Sequence, residues 1–442
     1  MASLIRGILF VLISSLWATH SGWTQTASGS SPQDSSAAVQ ESMLSAIRAS
    51  GLLRSDYFSS SKSVDDKTDF YGVTGQIKLM PSVGERYDGK IEARFTAPDL
   101  KHDDRTPSTA RLLEGYLTTH LNQVDLRVGK QNVAWGRADA INPTDNLTPR
   151  DYTVLLPFEE DQRFGTTAIR LDYYVTPEHT VTVFTTPLFE PSKISLPLPA
   201  GAVVINNKRP ARTLSNSEAG LKFNKAGGET DWSASYYHGF SLLPEIRSRG
   251  FSNGTGLLLE LAYPEIDVFG ADVARNYDSY GFRAEAAYIL PKRYSGQERT
   301  LIRPYLYYVL GVDRTFFENL NLNLQCIGRL VHNYEDPESV ADPVQRLLAV
   351  KNAILFGQQH RSTNGLTSRI SDKWLSETLE TELLLIVYFN PSSKYYRPLV
   401  TYAFTDRLKG SIGGEIYAGP QDSYWGLLKS NRGWFAELRY AL

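Results

Sequence analysis

Residues 434–442, WFAELRYAL, carry the pattern from which the prediction of the fold starts. The apolar residues of this stretch occupy every second position, namely Trp434, Ala436, Leu438, Tyr440 and Leu442. Glu437 and Arg439 point to the other side, which is the period of a β-strand. Such a strand fits the closing strand of a transmembrane barrel or the edge of a soluble sandwich. The rest of the chain decides between these two folds.

The composition excludes two broad classes of protein. The 442 residues carry a net charge of -2, so no excess of basic residues attracts nucleic acid. Aromatic residues make up 12% of the chain, yet the mean hydropathy is -0.29. A helical membrane protein is more apolar than this. In a barrel, by contrast, each apolar lipid-facing residue is followed by a polar lumen-facing one, so the mean hydropathy of the chain stays low.

The N-terminal residues predict export. A basic residue precedes the apolar run 7–17, and small and polar residues follow it, as in a secretory signal peptide. We expect a signal peptide over 1–23, a periplasmic tail over 24–50 with a short helix at 39–49, and a barrel over 51–442. After the signal, no apolar run of about 18 residues predicts a transmembrane helix. The expected location is the outer membrane.

Apolar and charged residues alternate in many further segments, such as KIEARF at 90–95 and IRLDY at 169–173. We therefore predict an all-β fold, a transmembrane antiparallel barrel of about eighteen strands. If the first two predicted strands, whose pattern is weak, did not form, the barrel would have sixteen strands. The predicted strands lie near 51–60, 68–81, 86–97, 109–121, 124–135, 165–175, 178–188, 214–224, 229–240, 263–274, 278–290, 300–312, 318–331, 364–374, 378–390, 395–405, 408–419 and 431–442.

The connections between these strands alternate between short and long. Long loops are predicted at 136–164, 189–213, 241–262 and 332–363, with tight turns between them. Short periplasmic turns and long extracellular loops are typical of outer-membrane barrels. A helix within 343–359 could constrict the lumen or cap the extracellular side. Either strand count leaves room for a channel rather than a side-chain core.

The strand pattern predicts which charged side chains line the lumen. Both signs occur, so neighbouring charges can pair across strands and strong ion selectivity is not expected. Taken one by one, most of these residues are expected to be structural salt bridges and not part of a solute pathway. The predicted lumen-wall residues are Lys90, Glu92, Arg94, Glu114, Asp125, Arg127, Arg170, Asp172, Glu218, Lys222, Arg283, Glu285, Glu380, Glu382, Arg397, Lys409, Glu415, Glu437 and Arg439.

The most distinctive segment is 128–157, VGKQNVAWGRADAINPTDNLTPRDYTVLLP. A strand runs into Trp135 and Gly136, and a long polar loop with Asn-Pro and Thr-Pro turn signals follows. A loop of this length is usually functional or disordered, and its composition favours function. The candidate constriction or solute-contact residues are Trp135, Arg137, Asp139, Asn142, Asp145, Asn146, Arg150 and Asp151.

These motifs resemble a largely uncharacterised family of outer-membrane porins of Gram-negative bacteria. The resemblance is carried by Trp135-Gly136, by NPTD at 142–145, and by the segments 279–288 and 366–442. Related barrels include exporters of alginate and other polysaccharides, and closer relatives resemble transporters for hydrophobic compounds. By this resemblance the loop folds into the lumen and its charged groups contact solute; a purely structural loop is the alternative. The family usually ends in Phe, whereas this sequence has Leu442.

The sequence predicts a porin or channel for passive passage of small or hydrophobic solutes, without cofactor or bound metal. Alternatives are polysaccharide export with periplasmic export or efflux partners, and an adhesion or enzymatic barrel that acts through its loops. An enzyme is not expected, because no Gly-x-Ser-x-Gly or HExxH motif is present. Cys326 lies at a predicted lipid-facing position, where it fills space. The expected partners are outer-membrane lipid and, through residues 434–442, the barrel assembly machinery.

Overall fold

Eighteen antiparallel strands form a closed barrel in the computed structural model. The structure describes residues 47–442, apart from 65–66, 98–108, 140, 154–158, 197, 200, 253–255 and 293–301. The barrel strands are β1 (Ile47–Val64), β2 (Lys67–Val83), β3 (Tyr87–Ala97), β4 (Thr109–Leu121), β5 (Val124–Gln131), β6 (Thr166–Tyr174), β7 (His179–Thr186), β9 (Glu218–Lys225), β10 (Thr230–Phe240), β13 (Glu265–Tyr277), β14 (Tyr280–Pro291), β15 (Tyr305–Phe316), β16 (Leu320–Val331), β17 (Ser362–Trp374), β18 (Leu379–Phe389), β19 (Ser392–Ala403), β20 (Leu408–Ala418) and β21 (Gly433–Ala441).

The barrel closes between its first and last strands. β1 pairs antiparallel with β21 from Leu52 opposite Ala441 to Ser60 opposite Gly433. All other neighbours in the barrel follow chain order, except that β7 pairs with β9 and β10 pairs with β13. Closure leaves no strand with an unpaired edge. A membrane protein built of strands needs this closure, because lipid cannot form hydrogen bonds with backbone N–H and C=O groups. The predicted eighteen-stranded barrel is confirmed.

Side chains separate by face as the alternation predicts. Large apolar residues remain exposed on the outer face, for example Ile91, Phe95, Leu117 and Leu310. Charged residues on the other face are buried, among them Arg94, Glu114, Asp172, Glu285, Arg397 and Glu437. Cys326 is exposed with the outward set. An apolar exterior around a charged interior is the reverse of a soluble protein and fits a bilayer as solvent.

The two ends of the barrel differ in their connections. At one end, here called the turn end, consecutive strands are joined by two to four residues, as at 122–123 and 175–178. At the other, here called the loop end, the connections include 132–165, 187–217, 241–264 and 332–361. This asymmetry agrees with the loop positions predicted from sequence. One end of the barrel therefore carries only short turns, and the other carries the long loops.

The long loops at the loop end build a second small sheet. β8 (Val203–Lys208), β11 (Glu245–Ser252) and β12 (Gly256–Ala262) form three strands, with β12 parallel to β8. The helix α1 (Pro343–Leu355) packs on them through Leu348, which contacts an apolar cluster around Ile246 and Leu259. Asp342 caps α1 by accepting a hydrogen bond from the Gln345 N–H at 2.8 Å. Short 3₁₀ helices occupy Glu159–Gln162, Leu214–Asn216, Pro337–Ser339 and Gly426–Asn431.

Several predicted strand boundaries are wrong by four or five residues, such as 300–312, which is Tyr305–Phe316, and 214–224, which begins at Glu218. Two further differences have a clear physical description. The predicted strand 124–135 ends at Gln131, because the next N–H groups bond to side chains instead of a neighbouring strand. The Asn132 N–H donates to Glu114 and the Val133 N–H donates to Thr148, both at 2.8 Å. Residues 47–49, predicted as the end of a helix, belong to β1 and pair with β2. The remainder of that predicted helix lies outside the described residues.

Candidate functional site

The loop at 132–165, here called the crossing loop, is anchored on one buried carboxylate of the barrel wall. Glu285 lies on β14 and is 2% exposed. Its Oε2 accepts hydrogen bonds from the backbone N–H groups of Arg137 and Ala138 at 3.0 and 3.1 Å. Its Oε1 accepts two more from the N–H and hydroxyl of Thr144, both at 2.8 Å. The predicted wall residue Glu285 therefore organises the predicted loop.

Charged side chains of the crossing loop next to this anchor contact strands on the opposite side of the barrel. Arg137 forms an ion pair with Asp272 on β13 and donates to Asn224 on β9 at 2.7 Å. Asp139 lies 3.3 Å from Arg369 on β17. In the order of the barrel, β17 is the ninth of eighteen strands from β5, where the loop begins. The loop therefore crosses the lumen to the opposite wall.

The second half of the loop is held by further ion pairs. Asp145 contacts Arg150 at 3.2 Å and Arg163 at 2.6 Å. The Asn146 side chain donates to the Pro143 carbonyl at 3.0 Å. Asp145 and Asn146 thus stabilise the fold of the loop itself.

Asp151 ties the crossing loop to β4 and to the neighbouring loop. Its carboxylate lies 2.8 Å from Arg111 and 3.4 Å from Lys193. Burial acts to raise the pKa of Asp151, but hydrogen bonds from Thr153 and Arg111 and the charge of Lys193 outweigh it, and the pKa lies below its ordinary value. The group is therefore held as a carboxylate.

Further contacts attach the crossing loop to strands β1 and β3 and to an apolar cluster inside the barrel. Asp161 in the 3₁₀ turn pairs with Arg54 on β1 at 2.7 Å and with Arg94 on β3 at 3.0 Å. Trp135 is 5% exposed and belongs to the apolar cluster with Phe184 and Ile266. Its ring packs against Gly220, where a Cβ would lie only 2.7 Å away. Trp135 therefore anchors the loop.

A cavity of about 370 Å³ lies on the loop-end side of the crossing loop, and we call it the vestibule. The candidate residues Asn142, Asp145, Asn146 and Arg150 form part of its lining. The Asn142 side-chain oxygen is buried and accepts no hydrogen bond from the described residues. Much of the remaining lining is apolar or aromatic, including Ile266, Ile289, Tyr305, Tyr307, Phe356, Ile386, Tyr388, Tyr424 and Trp425.

Most predicted wall charges are paired within the described part of the chain. Arg127 instead lies 4.4 Å over the Tyr116 ring and donates to Thr118 at 3.1 Å. The side chain of Glu437 bridges two cations of the wall. The pairs are Lys90 with Glu92 and Glu114, Arg170 with Asp172, Arg283 with Asp313, Arg397 with Glu382, and Glu437 with Arg54 and Arg439.

Sequence reasoning misses two parts of the site. Arg54, Asp272 and Arg369 hold the loop but are absent from the predicted wall. The aromatic lining is also missed, although β18 carries a signal for it. Its run LLLIVYF at 383–389 is apolar on both faces, so Leu384, Ile386 and the aromatic Tyr388, which share one face, must point inward.

The described residues hold no cluster of three or more His, Cys, Asp or Glu side chains that could bind a metal ion. No helix in the described ranges is long and apolar enough to cross a bilayer.

A closed eighteen-stranded barrel with an inward-folded loop defines the class of barrels similar to outer-membrane porins. The chain belongs to the family of proteins of unknown function DUF1302, whose model matches residues 47–302. Among curated proteins, none matches this sequence.

Two solved structures resemble the barrel over almost its whole length. OccAB4 of Acinetobacter baumannii has a TM-score of 0.54 at 8% identity, covering 90% of this chain and 98% of that chain. OpdK of Pseudomonas aeruginosa, solved with vanillate, has a TM-score of 0.53 at 8% identity with the same coverage. At this identity the likeness establishes the fold.

Proposed function

We propose that the protein is an outer-membrane channel through which small solutes with an apolar part pass passively. The observation that carries the proposal is the crossing loop, which divides the lumen of a closed barrel without filling it. Eighteen strands leave an interior too wide for side chains alone to fill. The loop narrows that interior, and the vestibule remains open beside it. This arrangement suits a pore that admits solutes by size and polarity.

The lining supports solutes with an apolar part over simple ions. Most charges of the wall are paired, so neither sign dominates, and a mixed lining gives little ion selectivity. The vestibule instead presents tyrosine, tryptophan and isoleucine side chains. Apolar and aromatic walls with a few polar groups are the usual lining of small-molecule sites.

The export alternative predicts a wider and more electropositive lumen. The crossing loop reaches β17 from β5 and is held there by ion pairs, which favours small solutes over a polymer. Similarity to alginate exporters stays a prediction.

Planar-bilayer recordings of the purified, folded protein test this function. We expect stepwise conductance in the wild type and larger, noisier steps in Glu285→Gln. The amide presents a donor to N–H groups that now bond to a carboxylate, leaving buried donors unpaired at about 1–3 kcal/mol each. The loop anchor should therefore loosen and the pore widen.

Glu415→Gln is the matched control. Its carboxylate also faces the interior, but its partners are the hydroxyls of Tyr417 at 2.7 Å and Tyr395 at 3.5 Å, both on the wall. It removes the same charge without touching the crossing loop, so the step size should stay near that of the wild type. Silence from folded wild-type protein would refute the channel, and equal steps in both variants would refute the role of the loop.

A further inference from the structure

One arginine that lines the vestibule is held by aromatic rings, whereas most cations of the lumen pair with carboxylates. Arg329 lies on β16, two residues before the strand ends at the loop end. Its guanidinium carbon is 4.4 Å from the centre of the Tyr307 ring and 5.1 Å from that of Tyr305. All three side chains line the vestibule. The cation is therefore placed by aromatic rings at the wall of the cavity.

Within the described ranges of the chain, Arg329 forms no ion pair with a carboxylate, and its buried Nε has no hydrogen-bond partner. By contrast, Arg54, Arg137 and Arg397 each pair with an acidic side chain. Removing a guanidinium from water without an anion is costly. A cation kept in this state at the wall of a cavity can pair with an anion that enters the cavity.

The end of α1 holds this guanidinium in place. Gly357 follows the helix with a φ of +61°, and a Cβ built on it would overlap Nη1 of Arg329. The backbone therefore lies directly against the guanidinium, and a side chain at this position would displace it. The side chain is confined between this backbone and the two tyrosine rings.

The other residues that line the vestibule favour a solute in which the anionic group is attached to an aromatic ring. Its only acidic lining residue among those described, Asp145, is already paired with Arg150 and Arg163. Around Arg329 the lining is aromatic and includes Tyr388 and Tyr424 besides the two tyrosines that flank it. A volume of about 370 Å³ is of the size that holds a small ring compound. Rings can stack on these side chains while a carboxylate meets the planar donors of arginine.

We propose that the vestibule binds small aromatic carboxylates, with the carboxylate on Arg329 and the ring among Tyr307, Tyr388 and Tyr424. The inference rests on the proposed channel, because it assigns the class of solute that this channel carries. Arg329 is then the residue that distinguishes an aromatic acid from its neutral analogue.

Calorimetric titration of the folded protein in detergent tests the assignment, with benzoate as the anionic probe and benzamide as its neutral analogue. We expect wild type to bind benzoate at least about tenfold more tightly than benzamide, since bonds to a charged group contribute about 1.5–3 kcal/mol. Arg329→Gln should weaken benzoate about tenfold to a hundredfold and leave benzamide nearly unchanged.

Arg314→Gln is the matched control. Arg314 also lies over two rings, 4.6 Å from Tyr280 and 4.8 Å from Phe316. It is on β15 near the turn end and does not line the vestibule. Its substitution should leave benzoate binding unchanged.

Equal affinity of the wild type for benzoate and benzamide would overturn the assignment, and this comparison still decides if Arg329→Gln does not fold. Equal benzoate affinity in folded Arg329→Gln and wild type would also overturn it. Bilayer conductance of the same samples separates the two proposals. Conductance steps without discrimination would leave the channel standing and refute the carboxylate site, whereas folded wild type without steps would refute the channel.

Discussion

At the scale of single residues, the position of the crossing loop depends on backbone that approaches a carboxylate closely. Gly136 has a φ of +97°, and a Cβ there would lie 2.5 Å from both carboxylate oxygens of Glu285. Only glycine satisfies both conditions. The Trp-Gly pair that distinguishes this sequence therefore has a physical role: tryptophan packs against the wall and glycine lets the chain turn over Glu285.

Gly136→Ala should lower the free energy of unfolding by about 2–4 kcal/mol, because it adds backbone strain and displaces the Glu285 carboxylate. Urea unfolding from detergent micelles, followed by tryptophan fluorescence, measures this loss. Gly84→Ala is the control, since Gly84 has a φ of +58° and no atom lies within 4 Å of the position that a Cβ would occupy. It should cost only about 1 kcal/mol. Equal losses would mean that contact with Glu285 contributes nothing.

Glu285 and its partners show which part of the site can be predicted from sequence and which part cannot. Glu285 is assigned to the lumen because it alternates with apolar neighbours, and that assignment needs only local periodicity. Its partners Arg137 and Thr144 lie more than 140 positions away in sequence. No periodicity relates residues so distant, so the anchor of the loop becomes visible only in three dimensions.

At the scale of elements, the crossing loop is held largely by charges, so its attachment should depend on pH. The folded pKa of Asp151 lies below the ordinary 3.8. Its ionised form therefore stabilises the folded protein above about pH 4, and this contribution is lost as the pH falls through the folded pKa.

Asp151→Asn should consequently lower stability at pH 7 by about 1–3 kcal/mol, since Arg111 and Lys193 lose their anion. The difference from wild type should shrink as the pH falls below 4. Urea unfolding at pH 7 and pH 3 measures both values. Asp278→Asn, at an exposed turn where the residue has a φ of +52° that asparagine tolerates, should show neither effect. A pH-independent difference for Asp151→Asn would contradict the role of its charge.

Elements differ in how far sequence predicts them. The barrel strands and long loops are predicted to within a few residues at most boundaries, because each strand carries its own period-two pattern. The strands β8, β11 and β12 are not predicted and lie within predicted loops. β8 pairs in parallel with β12 across a gap of about fifty residues, and the two loops meet only because β9 and β10 are neighbours in the barrel. Such pairing follows from the assembled fold.

At the scale of the whole molecule, the outer face of the barrel exposes large apolar side chains along the strands. Leu310 lies near the middle of β15 and is 55% exposed, whereas Tyr277 lies at the turn end of β13 and is 67% exposed. If the bilayer surrounds this face, the cost of a charge depends on its depth.

Leu310→Arg should destabilise the barrel in phospholipid vesicles by about 2–4 kcal/mol, and Tyr277→Arg by at most about 1 kcal/mol. Guanidinium unfolding from vesicles measures both. Equal losses at the two positions would argue against a membrane around the middle of the barrel.

The crossing loop also has a mechanical consequence. The barrel wall is a single layer of strands, and a hollow cylinder of this kind flattens easily under sideways load. The loop is fastened to β1 and β3 through Asp161, to β14 through Glu285 and to β17 through Asp139, so it acts as an internal brace across the diameter. The contacts that hold the crossing loop in the lumen thus also resist flattening of the barrel, and a variant with a looser loop has a wall that deforms more easily.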